Sequence, residues 1–208
     1  MSIYYQLGYD LFKFFGSVLF SFRLVHPERM IEEGPALLAM NHQSFIDPPM
    51  AGISCTRELH TLARDTLFKP PLMRWILPKI NVIPLDRSGG DMSAVKLSIR
   101  LIKEGKAMLM FPEGTRTKDG NLQPAQPGIG FIIAKTLVPV VPMRIFGAYE
   151  SLPRSGKKFR PGPVTIVIGE PIYFTKADLD GGRDVYQRLS DRVMAAIAAI
   201  ELPDGAGV

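Results

Sequence analysis

The chain has 208 residues, 46% of them hydrophobic and 22% charged, and this length and composition fit one globular domain with a large buried core. The single cysteine, Cys55, excludes an intrachain disulfide and a cysteine-based metal site. Lys and Arg outnumber Asp and Glu by 25 to 20, and the resulting net charge of +5 favours acidic partners such as phospholipid headgroups, phosphorylated metabolites or nucleic acid.

The first 25 residues are rich in Tyr, Phe and Leu and carry only three charges. Their uncharged stretch Phe14–Phe22 is far shorter than the ~18 apolar residues expected of a membrane-spanning helix. A signal peptide is also a poor fit, because the charges do not precede the apolar part. We expect residues 1–25 to form an amphipathic helix in a membrane interface and residues 26–208 to form the main domain. A helix packed on the protein's own core is the alternative.

The rest of the chain alternates short apolar runs with amphipathic patterns, which is typical of an α/β domain. Apolar residues at helical spacing predict helices over Ser93–Glu104 and Asp184–Ile200. Prolines and glycines cluster at the ends of the apolar runs, and we therefore treat Ala36–Ile200 as one unit. The apolar runs predict strands over Ala36–Met40, Glu58–Leu62, Ile80–Leu85, Ala107–Phe111, Val138–Met143 and Val164–Ile168.

His42 comes directly after the predicted strand Ala36–Met40, at the kind of strand end where open α/β sheets bind ligands. Asp47 lies five positions later, about 140° away on a regular helix. The two side chains therefore meet only if His42 lies in a loop and Asp47 in the first turn of a following helix. A carboxylate that holds one ring nitrogen leaves the other as a proton acceptor for general-base catalysis. A polar loop that caps a buried strand is the alternative.

Two further strand ends carry arginine. The run Phe111–Arg116 begins at the end of one of these strands. Within this run, Gly114 permits close approach of a ligand, and Arg116 can bind a phosphate in bidentate fashion. A solvated turn with an ion pair between Glu113 and Arg116 is the alternative. Arg87 follows another predicted strand. The three strand ends thus offer a base, a carboxylate and two guanidinium groups.

The residues at these strand ends resemble the motifs of the glycerolipid, or lysophospholipid, acyltransferases. Asn41–Asp47 resembles the N-H-x4-D motif of that family, and Phe111–Arg116 resembles its F-P-E-G-T-R motif. Asn81–Arg87 is similar to the G-x-x-F-I-x-R motif, although asparagine replaces the glycine and proline replaces the phenylalanine. Val138–Pro142 resembles the fourth motif, an apolar strand. The resemblance covers residues 36–147 in order.

The resemblance implies a glycerol-3-phosphate acyltransferase-like fold, in which a mostly parallel or mixed sheet is flanked by helices. It also implies acyl transfer from acyl-CoA or acyl carrier protein to the free hydroxyl of a lysophospholipid, foremost 1-acylglycerol-3-phosphate, to give phosphatidic acid. In phospholipid biosynthesis of this kind His42 is the general base, Asp47 orients it, and no metal or cofactor takes part. The residues that the resemblance assigns to the acceptor site are Arg87, Glu113, Gly114, Thr115 and Arg116.

Because both substrates carry acyl chains, the resemblance implies a membrane-associated enzyme, peripheral or monotopic, at the cytoplasmic face. A serine hydrolase is disfavoured, since the sequence has no G-x-S-x-G elbow. A catalytically idle lipid-binding protein on the same fold is one alternative. A metal-dependent phosphoesterase that uses His42, Asp47 and Glu113 is another. Nucleic-acid binding is not predicted, because aromatic and basic residues are not interleaved. The acceptor, the donor and the acyl length stay open.

Overall fold

A computed structural model describes residues 1–85, 91–156 and 159–204. Within these ranges the helices are α1 (Ile3–Phe20), α2 (Asp47–Gly52), α3 (Pro71–Ile76), α4 (Asp91–Lys103), α5 (Pro127–Thr136), α6 (Ala148–Ser151) and α7 (Val185–Ala198). The strands are β1 (Arg23–Val25), β2 (Ala36–Met40), β3 (Leu59–Arg64), β4 (Val82–Leu85), β5 (Ala107–Met110), β6 (Val140–Phe146) and β7 (Thr165–Ile168). Short 3-10 turns occupy Pro27–Arg29, Asp65–Phe68, Leu77–Ile80, Lys176–Leu179 and Gly182–Asp184.

The strands form one mixed sheet in the order β1-β7-β6-β2-β5-β3-β4. The neighbours β6, β2, β5, β3 and β4 all run parallel. β7 pairs antiparallel with β6, and β1 pairs parallel with β7. The predicted α/β domain with a mostly parallel or mixed sheet is thereby confirmed. Because the central strands are parallel, their carboxyl ends lie along one edge of the sheet.

β2 runs through the centre of the sheet, and all five of its residues are buried. Leu38 and Met40 pack into a hydrophobic cluster with residues of α1 and α2. Leu37 and Ala39 point to the other face, into a cluster with α4, α5 and α7. A strand covered on both faces is an uninterrupted apolar run, and for this reason the sequence predicts its bounds correctly.

The predicted range Val138–Met143 is wrong at both ends, because β6 spans Val140–Phe146. Pro139 has no N–H to donate to a strand ladder, and pairing with β2 begins at Val140. The strand continues to Phe146 because that residue pairs with Thr165 of β7. β1 is absent from the predicted strands, since its three residues pair with a segment far away in the sequence. The other predicted ranges overlap the observed elements with small differences at their ends.

α5 has no counterpart among the predicted elements, because Pro127, Gly128 and Gly130 together have the composition of a loop. Pro127 stands at the start of the helix, where its missing N–H is not needed. Gly130 lies where α5 crosses α7, and a Cβ atom there would be 1.8 Å from the backbone oxygen of Tyr186. This glycine therefore permits close helix packing and does not end the element.

α1 has two apolar faces. One face packs on the protein, with Tyr5, Gly16 and Phe20 buried. The helix therefore contacts the core, as the alternative for this segment expected. Among the described residues, no helix combines the length and the apolar character needed to cross a bilayer. The outward face carries an exposed apolar stripe at spacings of three and four residues: Ile3, Leu7, Leu11, Phe14 and Val18.

Candidate active site

The candidate site lies at the edge of the sheet where β2, β5 and β3 end. The loop after β2 and the loop after β5 are joined directly, because the Thr117 N–H donates to the His42 carbonyl over 2.8 Å. Parallel neighbours end at the same edge, and the two loops that resemble acyltransferase motifs therefore adjoin. Pro112, in the second loop, accepts from the Gln126 N–H at 2.8 Å and so ties that loop to the start of α5.

Asn41 anchors the end of β2. Its side chain is buried and exchanges two hydrogen bonds with the backbone of Ile145 in β6: Nδ2 donates to the carbonyl over 3.1 Å, and Oδ1 accepts from the N–H over 2.8 Å. The amide thus replaces a strand residue in the ladder. This pairing fixes where β2 ends and sets the starting position of the loop that carries His42.

His42 and Asp47 are in contact. The distance from His42 Nδ1 to Asp47 Oδ2 is 2.7 Å. The chain achieves this as the spacing required: His42 lies in the loop, and Asp47 is the first residue of α2. The imidazole also stacks on Phe111, with ring centroids 3.8 Å apart and planes at 16°. About one sixth of the His42 side chain, 17%, is exposed, and the ring is therefore held on one side and open on another.

Asp47 is fully buried, and a single oxygen takes all of its hydrogen bonds. Besides His42, Oδ2 accepts from the N–H groups of Gln43 at 2.6 Å and Ser44 at 2.7 Å. Burial raises the pKa of Asp47, while the hydrogen bonds from His42, Ser44 and Gln43 act in the opposite direction. Three donors on one oxygen favour the ionised form. The other oxygen, Oδ1, has no partner among the described residues.

Glu113 faces inward. It is 3% exposed, with Oε1 accepting from the His42 N–H at 2.8 Å and Oε2 from the Gln123 N–H at 3.1 Å. A solvated turn with an ion pair between Glu113 and Arg116 is therefore wrong for this loop. Burial raises the pKa of Glu113 to about 7, although the two backbone hydrogen bonds act to lower the pKa. The carboxyl group thus holds the backbone of His42 in place through its hydrogen bond with the N–H.

The other residues of this loop differ in their surroundings. Gly114 has φ +68°, a left-handed conformation that favours glycine, and a Cβ atom there would lie 3.2 Å from the Gln126 side chain. Its N–H closes a turn onto the Phe111 carbonyl at 3.0 Å. Thr115 is exposed at the tip of the turn. The turn thereby brings the following Arg116 back toward the histidine loop.

Arg116 lies over the ring of Phe45, with Cζ 3.4 Å from the ring centroid. Its Nη1 atom is buried and has no hydrogen-bond partner within the described ranges. Burial, followed by the positive charges of Arg154 and Arg64, lowers the pKa of the Arg116 guanidinium. Arginine stays protonated in proteins. The site therefore holds a charged, stacked guanidinium group whose inner donor is unused.

The structure adds two arginines that the sequence did not assign to the site. Arg64 ends β3 and could have been found by the rule that singled out Arg87, a basic residue at a strand end. Arg154 follows α6 and has no such signal. Arg87 itself lies outside the described residues. Within the described parts of the chain, no three His, Cys, Asp or Glu side chains come close enough to hold a metal ion.

The residues at this edge of the sheet are arranged so that a base can take a proton from a substrate next to a group that can bind an anion. When Nδ1–H donates its hydrogen bond to Asp47, the neutral imidazole presents Nε2 as a base. The ring is positioned by its hydrogen bond and by stacking on Phe111, so that it needs little reorganisation. Arg116 supplies fixed positive charge in the adjoining loop. A substrate that combines an ionisable hydroxyl group with a phosphate suits both features.

Comparison with known proteins gives a consistent result. Residues 21–146 match the model of the family described as Acyltransferase. A chloroplastic 1-acyl-sn-glycerol-3-phosphate acyltransferase from Brassica napus is 35% identical over 148 residues, which are 70% of this chain and 43% of that protein. A 1-acyl-sn-glycerol-3-phosphate acyltransferase from Bacillus subtilis is 30% identical over 153 residues, 73% of each chain.

The fold is also that of a solved structure. The crystal structure of the 1-acyl-sn-glycerophosphate acyltransferase from Thermotoga maritima superposes with a TM-score of 0.75, covering 96% of this chain and 80% of that one at 24% identity. The chain spans less than half the length of the Brassica relative and of an Arabidopsis relative, 43% and 41%. Its match to the Bacillus relative covers most of both proteins.

Proposed function

This chain belongs to the acyltransferase family, and we propose that it transfers a fatty acyl group from a thioester donor to the free hydroxyl of a lysophospholipid. The acceptor that we propose first is 1-acylglycerol-3-phosphate, with phosphatidic acid as the product. The names of the similar plant and Bacillus proteins support this acceptor. The donor is acyl-CoA or acyl carrier protein, and the reaction uses no cofactor.

His42 acts as the general base in this proposal. Nε2 takes the proton of the acceptor hydroxyl while its oxygen attacks the thioester carbonyl carbon. The carbon–sulfur bond then breaks as the carbonyl re-forms, and the departing thiolate recovers the proton from the imidazolium. Asp47 holds Nδ1 and stabilises the imidazolium in between. No protein nucleophile is needed, because the acceptor oxygen attacks directly.

Arg116 binds the acceptor phosphate in this proposal. Its stacking on Phe45 holds the guanidinium plane, and Nη1, which has no partner among the described residues, can donate to a phosphate oxygen. Glu113 acts indirectly, by bracing the backbone of His42. Gly114 and Thr115 form the turn that presents Arg116. Arg87, which lies outside the described residues, is proposed as a second phosphate ligand because of the motif that it belongs to.

One observation carries the proposal: the 2.7 Å contact between His42 and Asp47 lies at the same sheet edge as Arg116 and its unused donor. The test is release of free thiol from acyl-CoA, or from acyl carrier protein, on addition of 1-acylglycerol-3-phosphate. We expect thiol release in the wild type and its loss in a folded His42→Ala variant. A folded His42→Ala protein with wild-type turnover would refute the role of the base.

The same assay separates transfer from binding. Acceptor binding without thiol release from either donor would indicate a catalytically idle lipid-binding protein. Arg116→Ala is expected to raise the acceptor KM by about tenfold or more with little change in the donor KM, since a hydrogen bond to a charged group is lost. An unchanged acceptor KM would remove the phosphate role from Arg116.

We also propose that the exposed stripe of α1 lies in the interface of a membrane, on the cytoplasmic leaflet. Leu7 and Phe14 of this stripe are 68% and 61% exposed, and adjoining aromatic side chains extend the surface. Trp75 of α3 is 58% exposed and packs edge-on against Tyr4, 6.1 Å away. Lys79 lies above both rings, at 3.9 Å from Tyr4 and 4.5 Å from Trp75. Aromatic side chains and lysine together suit the headgroup region of an anionic leaflet.

Trp75 is the only tryptophan, and its fluorescence can therefore report contact with lipid. Vesicles that contain anionic lipid should shift its emission to the blue. The double substitution Leu11→Ser and Phe14→Ser should weaken vesicle binding by at least about a hundredfold, because each apolar side chain contributes ~1.5–3 kcal/mol on burial. Tyr173→Ser, which removes an exposed aromatic group elsewhere, is the control. Equal losses in both variants would argue against this surface.

A further inference from the structure

The chain after β6 connects the two loops of the site. This 148–154 segment comprises α6 and the turn that follows it, and it lies beyond the residues 21–146 that match the family model. Ser44 Oγ donates to the Leu152 carbonyl over 2.5 Å, and the Tyr149 N–H donates to the Gln43 side chain over 3.4 Å. The segment is therefore bonded to the residues that also hold Asp47.

The same segment reaches the arginine loop. Arg154 Nη1 donates to the Arg116 carbonyl over 3.0 Å, and the Tyr149 hydroxyl donates to the Lys118 carbonyl over 2.9 Å. These bonds close the side of the site between its two loops. Arg154 thereby adds a second guanidinium group beside Arg116, and Arg64 contributes a third positive charge to the same surroundings.

The positive charge gathered here has no ion-pair partner among the described residues, and only the more distant carboxylate of Asp47 attracts Arg116 within them. Within the described ranges, none of Arg64, Arg116 and Arg154 forms an ion pair with a carboxylate. Like charges held together are unfavourable unless an anion offsets them. Arg154 is half-buried, so that its charge is less screened than that of a side chain in open solvent. The cluster accordingly suits an anion with more than one negative charge.

We propose that Arg154 is a specificity-determining residue of the acceptor site, which makes the protein select a phosphate monoester over a phosphate diester. The inference rests on the proposed function and concerns the same acceptor site. A phosphate monoester carries a charge of about −1.5 to −2 near neutral pH and three strongly accepting oxygens. A diester carries one negative charge and two such oxygens. Two guanidinium groups therefore gain more from the monoester.

The first experiment compares acyl transfer to 1-acylglycerol-3-phosphate and to a lysophosphatidylglycerol with the same acyl chain. Arg154→Gln should raise KM for the monoester about ten- to a hundredfold, with kcat and the donor KM nearly unchanged, as expected for loss of one charged hydrogen bond. KM for the diester should change much less. Arg154→Lys keeps the charge and should give an intermediate KM. Arg160→Gln, at an exposed arginine in the same part of the chain, is the matched control and should leave KM for both acceptors unchanged.

The second experiment measures binding without turnover, with dodecyl phosphate as a monoester probe and dodecyl methyl phosphate as the diester. The wild type should prefer the monoester, and Arg154→Gln should abolish most of that preference. Loss of affinity for both probes by the same factor would assign Arg154 a merely structural role and overturn the proposal. Unchanged affinity would overturn it as well. If the wild type transfers no acyl group but keeps this preference, the proposed function fails and the inference about Arg154 stands.

Discussion

Replacing Asp47 by asparagine removes a negative charge from the site while preserving the shape of the side chain. The new amide oxygen can take the place of Oδ2 and accept from the N–H groups of Gln43 and Ser44. The amide nitrogen then occupies the place of Oδ1, which has no partner among the described residues. His42 keeps an acceptor for Nδ1. The substitution thus isolates the effect of the charge on the imidazolium that forms during transfer.

The expected loss follows from the geometry. Nδ1 and Oδ2 are 2.7 Å apart. With charge centres ~4 Å apart and an effective dielectric constant of ~20, the attraction between carboxylate and imidazolium is ~4 kcal/mol. If this attraction stabilises the transition state, kcat should fall about a thousandfold. Because burial raises the pKa of Asp47, the folded protein also bears a cost for its charge. Removal of that charge should therefore leave the free energy of unfolding within ~1 kcal/mol of the wild type.

The assay is thiol release at saturating acceptor and donor, together with thermal unfolding of the same samples. Asp178→Asn is the matched control, since Asp178 also accepts several hydrogen bonds, from Thr175 and Arg192, but caps an exposed turn. That variant should lose a little stability and no activity. A folded Asp47→Asn protein that retains more than about a tenth of wild-type kcat would refute the electrostatic role, because the loss would then be under ~1.4 kcal/mol.

Two further predictions concern stability. Burial holds the pKa of Glu113 at about 7, compared with its ordinary 4.5, so the folded protein binds the extra proton between these values. The contribution of Glu113 to the free energy of unfolding is therefore fully present below about pH 4.5 and is lost, by ~3 kcal/mol, as the pH rises through 7. Urea unfolding across this range should show a decline that is larger by ~3 kcal/mol in the wild type than in Glu113→Gln, in which the buried Asp47 still titrates; parallel curves would contradict the prediction. Gly130→Ala should lower the free energy of unfolding by at least ~2 kcal/mol, because the new Cβ atom meets the backbone of α7. Gly128→Ala has no atom within 4 Å of the new Cβ atom and should raise the free energy of unfolding by about 0.5–1 kcal/mol. Equal urea midpoints of the two variants would refute the packing argument.

The centre of the fold can be predicted from sequence because its signals are local. β2 is buried on both faces, and an apolar run therefore identifies it without knowledge of its neighbours. The location of the site follows from the same information. Loops after neighbouring parallel strands meet at one edge. The five-residue spacing lets the side chains of His42 and Asp47 meet only if His42 lies in a loop and Asp47 in the first turn of the next helix. That geometry is present.

Other features depend on contacts that sequence patterns do not encode. α5 begins with residues typical of a loop, and only the approach of α7 explains why Gly130 lies inside a helix. β1 exists because β7 pairs with it. In the site, one interpretation of the sequence was an exposed ion pair between Glu113 and Arg116. The Glu113 oxygens instead accept hydrogen bonds from two backbone N–H groups. The direction of a side chain in a loop depends on which backbone donors lie beneath it, and these come from distant segments.

The proposed chemistry and the proposed selection of substrates lie on different parts of the chain. His42, Asp47 and Arg116 all fall within residues 21–146, which match the family model. The exposed stripe of α1 precedes that range, and Arg154 follows it. Both outer parts contact the inner one. The buried face of α1 packs on the core, and the 148–154 segment forms hydrogen bonds with both loops. Changes in α1 or in the 148–154 segment can therefore alter where the protein binds and which headgroup it accepts, while the base and its carboxylate stay in place.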